Sequence, residues 1–546
     1  MAHGGNAVSG LSENENSRRD ISTAIILVAI FFVCAFYSIT DGCYWGDDYA
    51  AYISEGIAIS EQRLDIHALL NTKMHPSNLP DEAVGEPLVY VWGYPLILAL
   101  VYSLVGFDRI TYATIFFYKL PTVISFAILS AVLFLFLRRR FGYFFSLLLT
   151  VAFCSCSDFY NFVNTLYSDI YFMFFALLSL YLVERYVEES RSPKREIIGI
   201  ILGITLWYTY EIRLNGQAIL LACFAAQLFN IIKNRKSYNQ ELLLKEIIPF
   251  ITFFTFKSVS ELILATPTSN TSDFQDSSQA LFISNMGVYL NLILDFFKQI
   301  WGKLLISPLY SILRRLIHIN YYDLNTVSYI FIWGSFALFV VGLVSGTKEN
   351  LHLSLLVILY ILIAAKLPYT QGMRYLYPIL PAILMFFGYG ARFIYKLFDN
   401  KNRALLHHIS TVAALCLCVL CIAQIALNDI KLKNNGKIDV EIINVEDIYM
   451  QNAYSSCAIE AYNYIQANTP KNCSIAFFAP RGLHLNTERF SFKPGVNGHS
   501  IEEADYCLEY LKTGGYHITP PIGDEFEKVF SNDEFVLYRH TIDYVN

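Results

Sequence analysis

Two adjacent carboxylates, Asp47 and Asp48, follow the first long apolar run of the chain, in the segment Tyr-Trp-Gly-Asp-Asp-Tyr at residues 44–49. A third carboxylate, Glu86, lies further along the same predicted loop. A carboxylate held beside a bilayer can act as a general base toward a substrate carried by a lipid. The alternative is structural, because Asp47 could cap a helix and Asp48 could favour its positive end. Apolar residues at helical spacing after Asp48 predict that this helix lies on the membrane surface.

Three further charged residues stand at the ends of later apolar runs. Asp169 follows Tyr-Ser, Arg213 lies in a turn between two runs, and Arg374 precedes another run. Charges at membrane depth are costly and are usually retained for pairing or function. Helix capping or interfacial anchoring is the alternative for Asp169 and Arg374. Together they predict a cavity with carboxylates for acid–base chemistry and arginines for a phosphate. The adjacent Tyr49 and Tyr375 are predicted to bind substrate with them.

The elements that must position these residues are membrane-spanning helices. The chain has 546 residues, of which 55% are hydrophobic, and many apolar runs approach the ~20 residues that cross a bilayer. No basic stripe or motif for nucleic acid is present. The eleven cysteines show no spacing typical of metal ligands. The predicted spans are 21–39, 111–137, 142–158, 166–187, 195–211, 214–232, 247–265, 326–345, 351–367, 375–398 and 405–427.

Basic residues cluster in alternate loops and predict the orientation. Clusters at 138–140, 185–195, 233–236 and 392–403 fall on one side of the predicted membrane, and the positive-inside rule makes that side cytoplasmic. A span at 89–106 would move every later cluster outside, so this apolar stretch is predicted to be a juxtamembrane or re-entrant helix. Eleven spans then leave the N-terminus inside and the candidate acids outside.

The sequence divides into three predicted parts: a cytoplasmic tail at 1–20, a transmembrane catalytic domain at 21–428, and an extracytoplasmic α/β domain at 429–546. The middle part would carry large outer loops at 40–110 and 266–325. Segment 280–318 is predicted to form interfacial amphipathic helices, or alternatively a membrane hairpin. In the last part we predict a helix at 452–468, a strand at 473–479 and a hairpin around 531–533. One disulfide among Cys457, Cys473 and Cys507 could form there.

The order of these motifs resembles that of a known family. It consists of an acidic pair after the first span, Glu-Pro at 86–87 followed by Gly-Tyr-Pro at 93–95, Ser-Asp at 168–169, and Arg-Tyr-Leu-Tyr-Pro-x-x-Pro from residue 374. It is similar to the GT-C membrane glycosyltransferases, in the branch of the protein O-mannosyltransferases and the lipid A aminoarabinose transferases. The resemblance covers nearly the whole chain. It implies an all-α polytopic membrane fold with about 11 or more transmembrane helices and a small extracytoplasmic α/β domain.

The resemblance also implies roles for individual residues. The first-loop acid of the family is the catalytic base, which matches Asp47 or Asp48; adjacency does not decide between them, and we favour Asp47. Glu86 matches the second loop acid, but this chain lacks the Lys of the Glu-Lys-Pro-Pro pattern found in the aminoarabinose transferases. Asp169 matches the Ser-Asp of the family, and Arg374 matches the arginine near the lipid carrier.

The predicted function is an inverting glycosyltransferase of the cytoplasmic membrane that moves a sugar from a polyprenyl-phosphate carrier to an acceptor on the outer face. The acceptor could be a lipid, a glycan or a protein. A lipid-linked glycan flippase or transporter, or a surface-polysaccharide polymerase or ligase, are the alternatives. No cofactor is required by the pattern, although a divalent metal could bind the acidic cluster. Tyr44, Trp45, Tyr90 and Trp92 either pack in cores and interfaces or stack on a sugar.

Overall fold

The computed structural model describes most of the chain and supports a helical bundle followed by a small sheet domain. The described residues are 13–40, 42–45, 48–61, 91–105, 112–189, 194–235, 240–263, 279–301, 321–366, 372–397, 419, 452–494, 500–511 and 525–541. Asp47, Glu86, the predicted span at 405–427 (apart from residue 419) and the predicted domain boundary near 429 lie outside this set.

Fourteen α-helices within the described residues build the bundle. They are α1 Glu13–Tyr37, α2 Asp48–Ser60, α3 Gly93–Val105, α4 Tyr112–Arg138, α5 Tyr143–Cys154, α6 Ser157–Asn164, α7 Asp169–Glu188, α8 Lys194–Ile212, α9 Gly216–Lys233, α10 Gln240–Ile263, α11 Gln279–Trp301, α12 Tyr321–Gly346, α13 Leu351–Ala365 and α14 Leu380–Leu397. A 3₁₀ segment, Gly372–Ile379, leads directly into α14.

Six helical segments among the described residues are long and apolar enough to cross a membrane: α1, α4, α7, α9, α12 and the 3₁₀ segment with α14. The pair α5 and α6, bent by 53°, would make a seventh. Predicted spans 195–211, 247–265 and 351–367 fold as helices α8, α10 and α13, although they do not meet this measure of length and composition. The predicted fold class, a polytopic helical membrane protein with a small α/β domain, is confirmed; the full number of eleven spans remains a prediction.

The two short helices α2 and α3 lie side by side in the predicted first loop. As predicted, α3 forms a short helix, and its 13 residues extend for about 20 Å, less than the ~30 Å of the hydrocarbon core. The prediction that α2 lies on the surface is wrong, because nine of its 13 residues are buried. α2 packs on α3 and on a helix of the C-terminal domain. The domain therefore covers the face of α2 that the sequence predicts to be exposed to solvent.

Segment 280–318 contributes a helix to the bundle. Its first part is α11, and the buried side chains Tyr289, Ile293, Phe296 and Ile300 of this helix belong to the bundle core. The apolar face of α11 therefore packs on protein, and the predicted interfacial helices and the alternative membrane hairpin both stay predictions. Residues 302–320 lie outside the described part of the chain.

The C-terminal domain is a five-stranded mixed sheet with two helices, α15 Ser456–Asn468 and α16 Pro480–Thr487. The strand order is β2-β1-β3-β5-β4, with β1 parallel to β2 and β3, and with β5 antiparallel to β3 and β4. The predicted helix, strand and hairpin are all found, and Cys457, Cys473 and Cys507 are free thiols. The strands are β1 Ser474–Ala476, β2 Phe490–Phe492, β3 Tyr506–Tyr510, β4 Phe526–Ser531 and β5 Phe535–His540.

Two large apolar cores hold these parts together. One lies within the bundle, and the other joins α2, α3 and the adjoining ends of α4 and α7 to one face of the C-terminal sheet. We call the end of the bundle that meets the sheet the domain end. The shared core fixes the C-terminal domain directly above the helix ends that carry the candidate site residues.

Candidate functional site

Four charged residues from separate parts of the sequence meet at the domain end. Asp48 begins α2, Asp169 begins α7, Arg213 lies in the turn between α8 and α9, and Arg374 lies in the 3₁₀ segment before α14. Each acid occupies the first turn of its helix, where the helix dipole favours negative charge. The topology therefore delivers the acids from two helix N-termini and the arginines from two connections.

Asp169 is the buried centre of this cluster. Its side chain is 0% exposed, and its Oδ1 lies 2.9 Å from Arg213 Nη1 and 4.0 Å from Arg374 Nε. A buried carboxylate needs such partners, because burying an unpaired charge is very costly. Asp169 thus holds the two guanidinium groups toward one point.

Asp48 completes the cluster from the side of α2. Its Oδ2 lies 3.9 Å from Arg374 Nη2, and its side chain is 32% exposed. Asp48 is therefore the acid of this cluster that solvent or a substrate can reach, whereas Asp169 is enclosed. The same arginine contacts both acids and links the accessible carboxylate to the enclosed one.

Ser168 connects the arginine turn to α2. Arg213 Nε donates a hydrogen bond of 2.9 Å to Ser168 Oγ, and the hydroxyl of Tyr52 lies 3.1 Å from the same oxygen. Tyr52 stands one helical turn after Asp48, and its ring packs edge-to-face on Tyr94 of α3. Ser168 and Tyr52 are buried, so the bond between them forms away from competing water. Tyr52 is a site residue that was not predicted from the sequence, although its i+4 spacing from Asp48 places both residues on the same helix face.

Aromatic rings flank Arg374. Its guanidinium carbon lies 5.0 Å from the centre of the Tyr167 ring and 5.9 Å from that of Tyr375. Both distances allow cation–π attraction. Tyr375 therefore lies beside the arginine as the sequence analysis predicted, and Tyr167 is a neighbour that it did not assign. The rings and the buried carboxylate restrict the arginine while its charge remains available to a bound anion.

The remaining predicted site residues are not part of this cluster. Asp47 and Glu86 lie outside the described residues. Tyr49 is 1% exposed, and its ring packs on Tyr454 at 6.3 Å, so it joins α2 to the C-terminal domain. Of the two alternatives for Trp45, core packing is confirmed over stacking on a sugar, because its side chain is fully buried among aromatic rings of that domain.

The cluster combines an accessible carboxylate, Asp48, with two arginines that are paired with acidic side chains. Such an arrangement can accept a proton at Asp48 and hold a phosphate group beside Arg374 and Arg213. Within the described ranges, no three His, Cys, Asp or Glu side chains are grouped so as to hold a metal ion. Asp48 and Asp169 are instead engaged by arginines.

A polar cavity of about 330 Å³ lies at the opposite end of the bundle. One of its lining residues, Glu184, follows Asp169 by fifteen residues along α7, which corresponds to about 22 Å. Arg139 and Arg140 both pair with Glu184, and His352 Nε2 lies 3.6 Å from the same carboxylate. Ion pairs within the protein thus engage Arg139, Arg140 and Glu184, and we place the candidate site at the domain end.

Comparison with known proteins supports the architecture. No protein-family model matches the sequence, and no curated protein matches it. The chain is similar in structure to ArnT from Cupriavidus metallidurans bound to undecaprenyl phosphate, with a TM-score of 0.50 and 9% sequence identity over 96% of this chain and 98% of that chain. The apo state of ArnT gives 0.50 and 11% over 95% and 98%.

An oligosaccharyltransferase shares the same architecture. The Archaeoglobus fulgidus protein, in complex with Zn and sulfate, has a TM-score of 0.50 and 10% identity over 89% of this chain and 68% of that chain. ArnT and this oligosaccharyltransferase are GT-C glycosyltransferases. At such low identities the likeness concerns the fold. The chain therefore has the fold of the GT-C membrane glycosyltransferases, the family that its motifs resemble.

Proposed function

We propose that this protein is an inverting glycosyltransferase that takes a sugar from a polyprenyl-phosphate carrier. The observation that carries the proposal is the contact of the accessible Asp48 carboxylate with Arg374, 3.9 Å away. In the same cluster, Asp169 pairs with Arg213. One group can accept a proton, and two neighbouring groups can neutralise a departing phosphate. These are the two tasks that sugar transfer from a glycosyl phosphate requires.

The reaction is a single displacement at the anomeric carbon. We assign the base to Asp48 rather than to Asp47, which the sequence favours, because the Asp48 carboxylate contacts Arg374, whereas Asp47 lies outside the described residues. Asp48 accepts the proton of an acceptor hydroxyl (or amine) as the oxygen (or nitrogen) of that group forms its bond to the anomeric carbon. The bond between this carbon and the phosphate oxygen breaks, and the electron pair stays on the polyprenyl phosphate. Its phosphate gains negative charge, which Arg374 and Arg213 stabilise. Attack on the face opposite to the leaving group inverts the anomeric configuration.

A polyprenyl monophosphate is the donor class that we propose. Arg213 and Arg374 carry two positive charges, and Asp169 and Asp48 carry the two negative charges that balance them. Protonation of Asp48 during transfer leaves one net positive charge beside the departing phosphate. The undecaprenyl phosphate bound to ArnT supports the same class of donor. The oligosaccharyltransferase structure is a complex with Zn, which supports a divalent cation as an alternative for this chain. Asp47 and Glu86 would then be further carboxylate ligands.

The distribution of basic residues supports an outward-facing site in a cytoplasmic membrane. Arg138 ends α4 and is followed by Arg139 and Arg140, and Lys233 ends α9, at the end of the bundle remote from Asp169. Arg392 of α14 reaches the same end, where its Nη1 donates to the Arg140 carbonyl at 3.2 Å. The positive-inside rule then gives a cytoplasmic basic end and an outer domain end.

The direct test uses purified protein in liposomes that contain a labelled sugar on polyprenyl monophosphate, with a membrane extract as the source of acceptor. We expect transfer of the label, with the anomeric configuration inverted. Arg374→Gln should raise the donor KM, whereas Lys471→Gln, an exposed charge of the C-terminal domain, should leave it unchanged. Parallel reactions with the diphosphate donor and with a chelator test the donor class and the metal.

Two results would overturn the proposal. Movement of the labelled lipid across the bilayer without any transfer would favour a flippase or transporter. If Arg374→Gln and the unmodified protein transfer sugar with the same donor KM, Arg374 does not bind the donor phosphate. Successive additions to a growing glycan would instead identify a polymerase or ligase and would define the acceptor class.

A further inference from the structure

The side chain of Trp45 links the segment before Asp48 to the C-terminal domain. It is 0% exposed, and its ring centre lies 5.3 Å from that of Phe477, 5.4 Å from Phe478 and 6.0 Å from Phe535. These three aromatics belong to the core on one face of the sheet. A residue from the beginning of the chain thus forms part of the core of a domain built from its end.

The backbone beside Trp45 is attached to the same domain. Ala453 N donates a hydrogen bond of 2.7 Å to the Cys43 carbonyl, and Tyr44 forms an isolated antiparallel bridge with Asn452. Gly42 has φ +74°, a left-handed conformation that favours glycine, and a Cβ at this position would displace the Asn452 side chain. Segment 42–45 is held by both side-chain and main-chain contacts.

This attachment limits where Asp48 can stand. Only two residues separate Trp45 from Asp48, so their Cα atoms can be at most about 11 Å apart. A second contact, between Tyr49 and Tyr454, fixes the next residue of α2 to the same domain. Contacts with the C-terminal domain, and not with the bundle alone, therefore determine the position of the N-terminus of α2.

We infer that Trp45 is a positioning residue: by inserting into the C-terminal domain it sets the place of the Asp48 carboxylate relative to Arg374. The inference rests on the proposed function, in which Asp48 accepts the proton of the acceptor. The C-terminal domain then takes part in catalysis through α2, without contributing a reacting group. Small displacements matter here, because a misplacement of ~1 Å can reduce a rate by about 100-fold.

The test compares Trp45→Ala with Phe492→Ala in the full-length protein. Phe492 is a matched control, because it is 2% exposed and belongs to the core on the other face of the sheet, apart from the Trp45 contacts. Hydrogen exchange of α2 and kcat for sugar transfer are measured for both variants, together with the thermal stability of each. Trp45→Phe, which keeps an aromatic ring in the pocket, tests rescue.

We expect Trp45→Ala to speed amide exchange in α2 and to lower kcat by about tenfold or more. Phe492→Ala should lose comparable thermal stability but keep its exchange in α2 and its kcat within about twofold, and Trp45→Phe should restore most of the rate. Equal effects of the two alanine variants would overturn the inference, as would unchanged exchange in α2 for Trp45→Ala. The exchange measurement needs no turnover, so it remains decisive even if the proposed reaction is not observed.

Discussion

Asp169→Asn tests whether the enclosed carboxylate stabilises the protein by pairing with the two arginines of the site. The substitution keeps the shape of the side chain and removes its charge. Asp169 is fully enclosed and lies 2.9 Å from Arg213 Nη1 and 4.0 Å from Arg374 Nε. Its neutralisation leaves two guanidinium groups close together without the carboxylate that balances them. We therefore expect a large loss of stability from a change that creates no cavity.

The distances set the size of the effect. At an effective dielectric constant of about 20, attractions at these two distances are roughly 6 and 4 kcal/mol. Much of this offsets the cost of burying the charges, and removal of one partner from a buried pair costs about 3–5 kcal/mol net. Asp48→Asn removes a contact at 3.9 Å from a side chain that is 32% exposed. Solvent screens that pair, so its loss should cost no more than about 1 kcal/mol.

Buried thiols provide the assay. Cys154 and Cys223 are free and buried in the bundle, so a fluorogenic maleimide reports their exposure as sodium dodecyl sulfate is added to detergent micelles. The unfolding midpoint should fall strongly for Asp169→Asn and little for Asp48→Asn. Arg213→Gln in the Asp169→Asn background should recover part of the loss, because it removes an unbalanced charge.

The reasoning would be refuted by a midpoint for Asp169→Asn that matches that of Asp48→Asn. Strict additivity of Asp169→Asn and Arg213→Gln would also contradict it, since paired groups must show a coupling energy. Either result would mean that the cluster does not depend on the enclosed carboxylate.

Three further predictions concern positioning and pH. Ser168→Ala leaves the half-buried Arg213 Nε without this acceptor, which costs about 1–3 kcal/mol, and should raise the donor KM roughly five- to 100-fold in the liposome assay. Gly93→Ala would place a Cβ 2.5 Å from the backbone of α8 and should cost about 1–3 kcal/mol in the thiol assay, whereas Gly142→Ala, with open space around it, should be neutral. Burial lowers the pKa of His484 below its usual 6.5, so its contribution to stability is present above pH 6.5 and is lost as pH falls through the lowered pKa. His484→Gln should therefore flatten the pH dependence of the protection of α16 amides from exchange.

Much of the candidate site could be predicted because the order of apolar runs and basic clusters is visible in the sequence. Apolar runs of sufficient length predict the spans, and the alternation of basic clusters assigns the ends of these spans to two sides. Asp169, Arg213 and Arg374 were thereby assigned to one side with Asp48, and the structure brings all four together. The hairpin of the C-terminal domain was also predictable, since local alternation and turn residues specify it.

The contacts that depend on distant parts of the chain could not be predicted. Nothing local distinguishes Trp45 from an interfacial tryptophan, because its burial depends on a sheet formed more than 400 residues later. The burial of α2 has the same origin, since the C-terminal domain covers a helix whose own pattern suits a surface. The cation–π contact of Tyr167 with Arg374 likewise depends on how α7 meets the 3₁₀ segment.

The identity of the base tests the central claim most directly. Initial rates of sugar transfer from the polyprenyl monophosphate donor are compared for the unmodified protein, Asp48→Asn and Asp47→Asn, each at equal folded yield. Loss of a general base should lower kcat for Asp48→Asn by about 10²–10⁴-fold, with the donor still bound and with Asp47→Asn retaining most of the rate. Full activity of Asp48→Asn would contradict the account, because the carboxylate beside Arg374 would then be a helix-terminal charge without a part in the reaction.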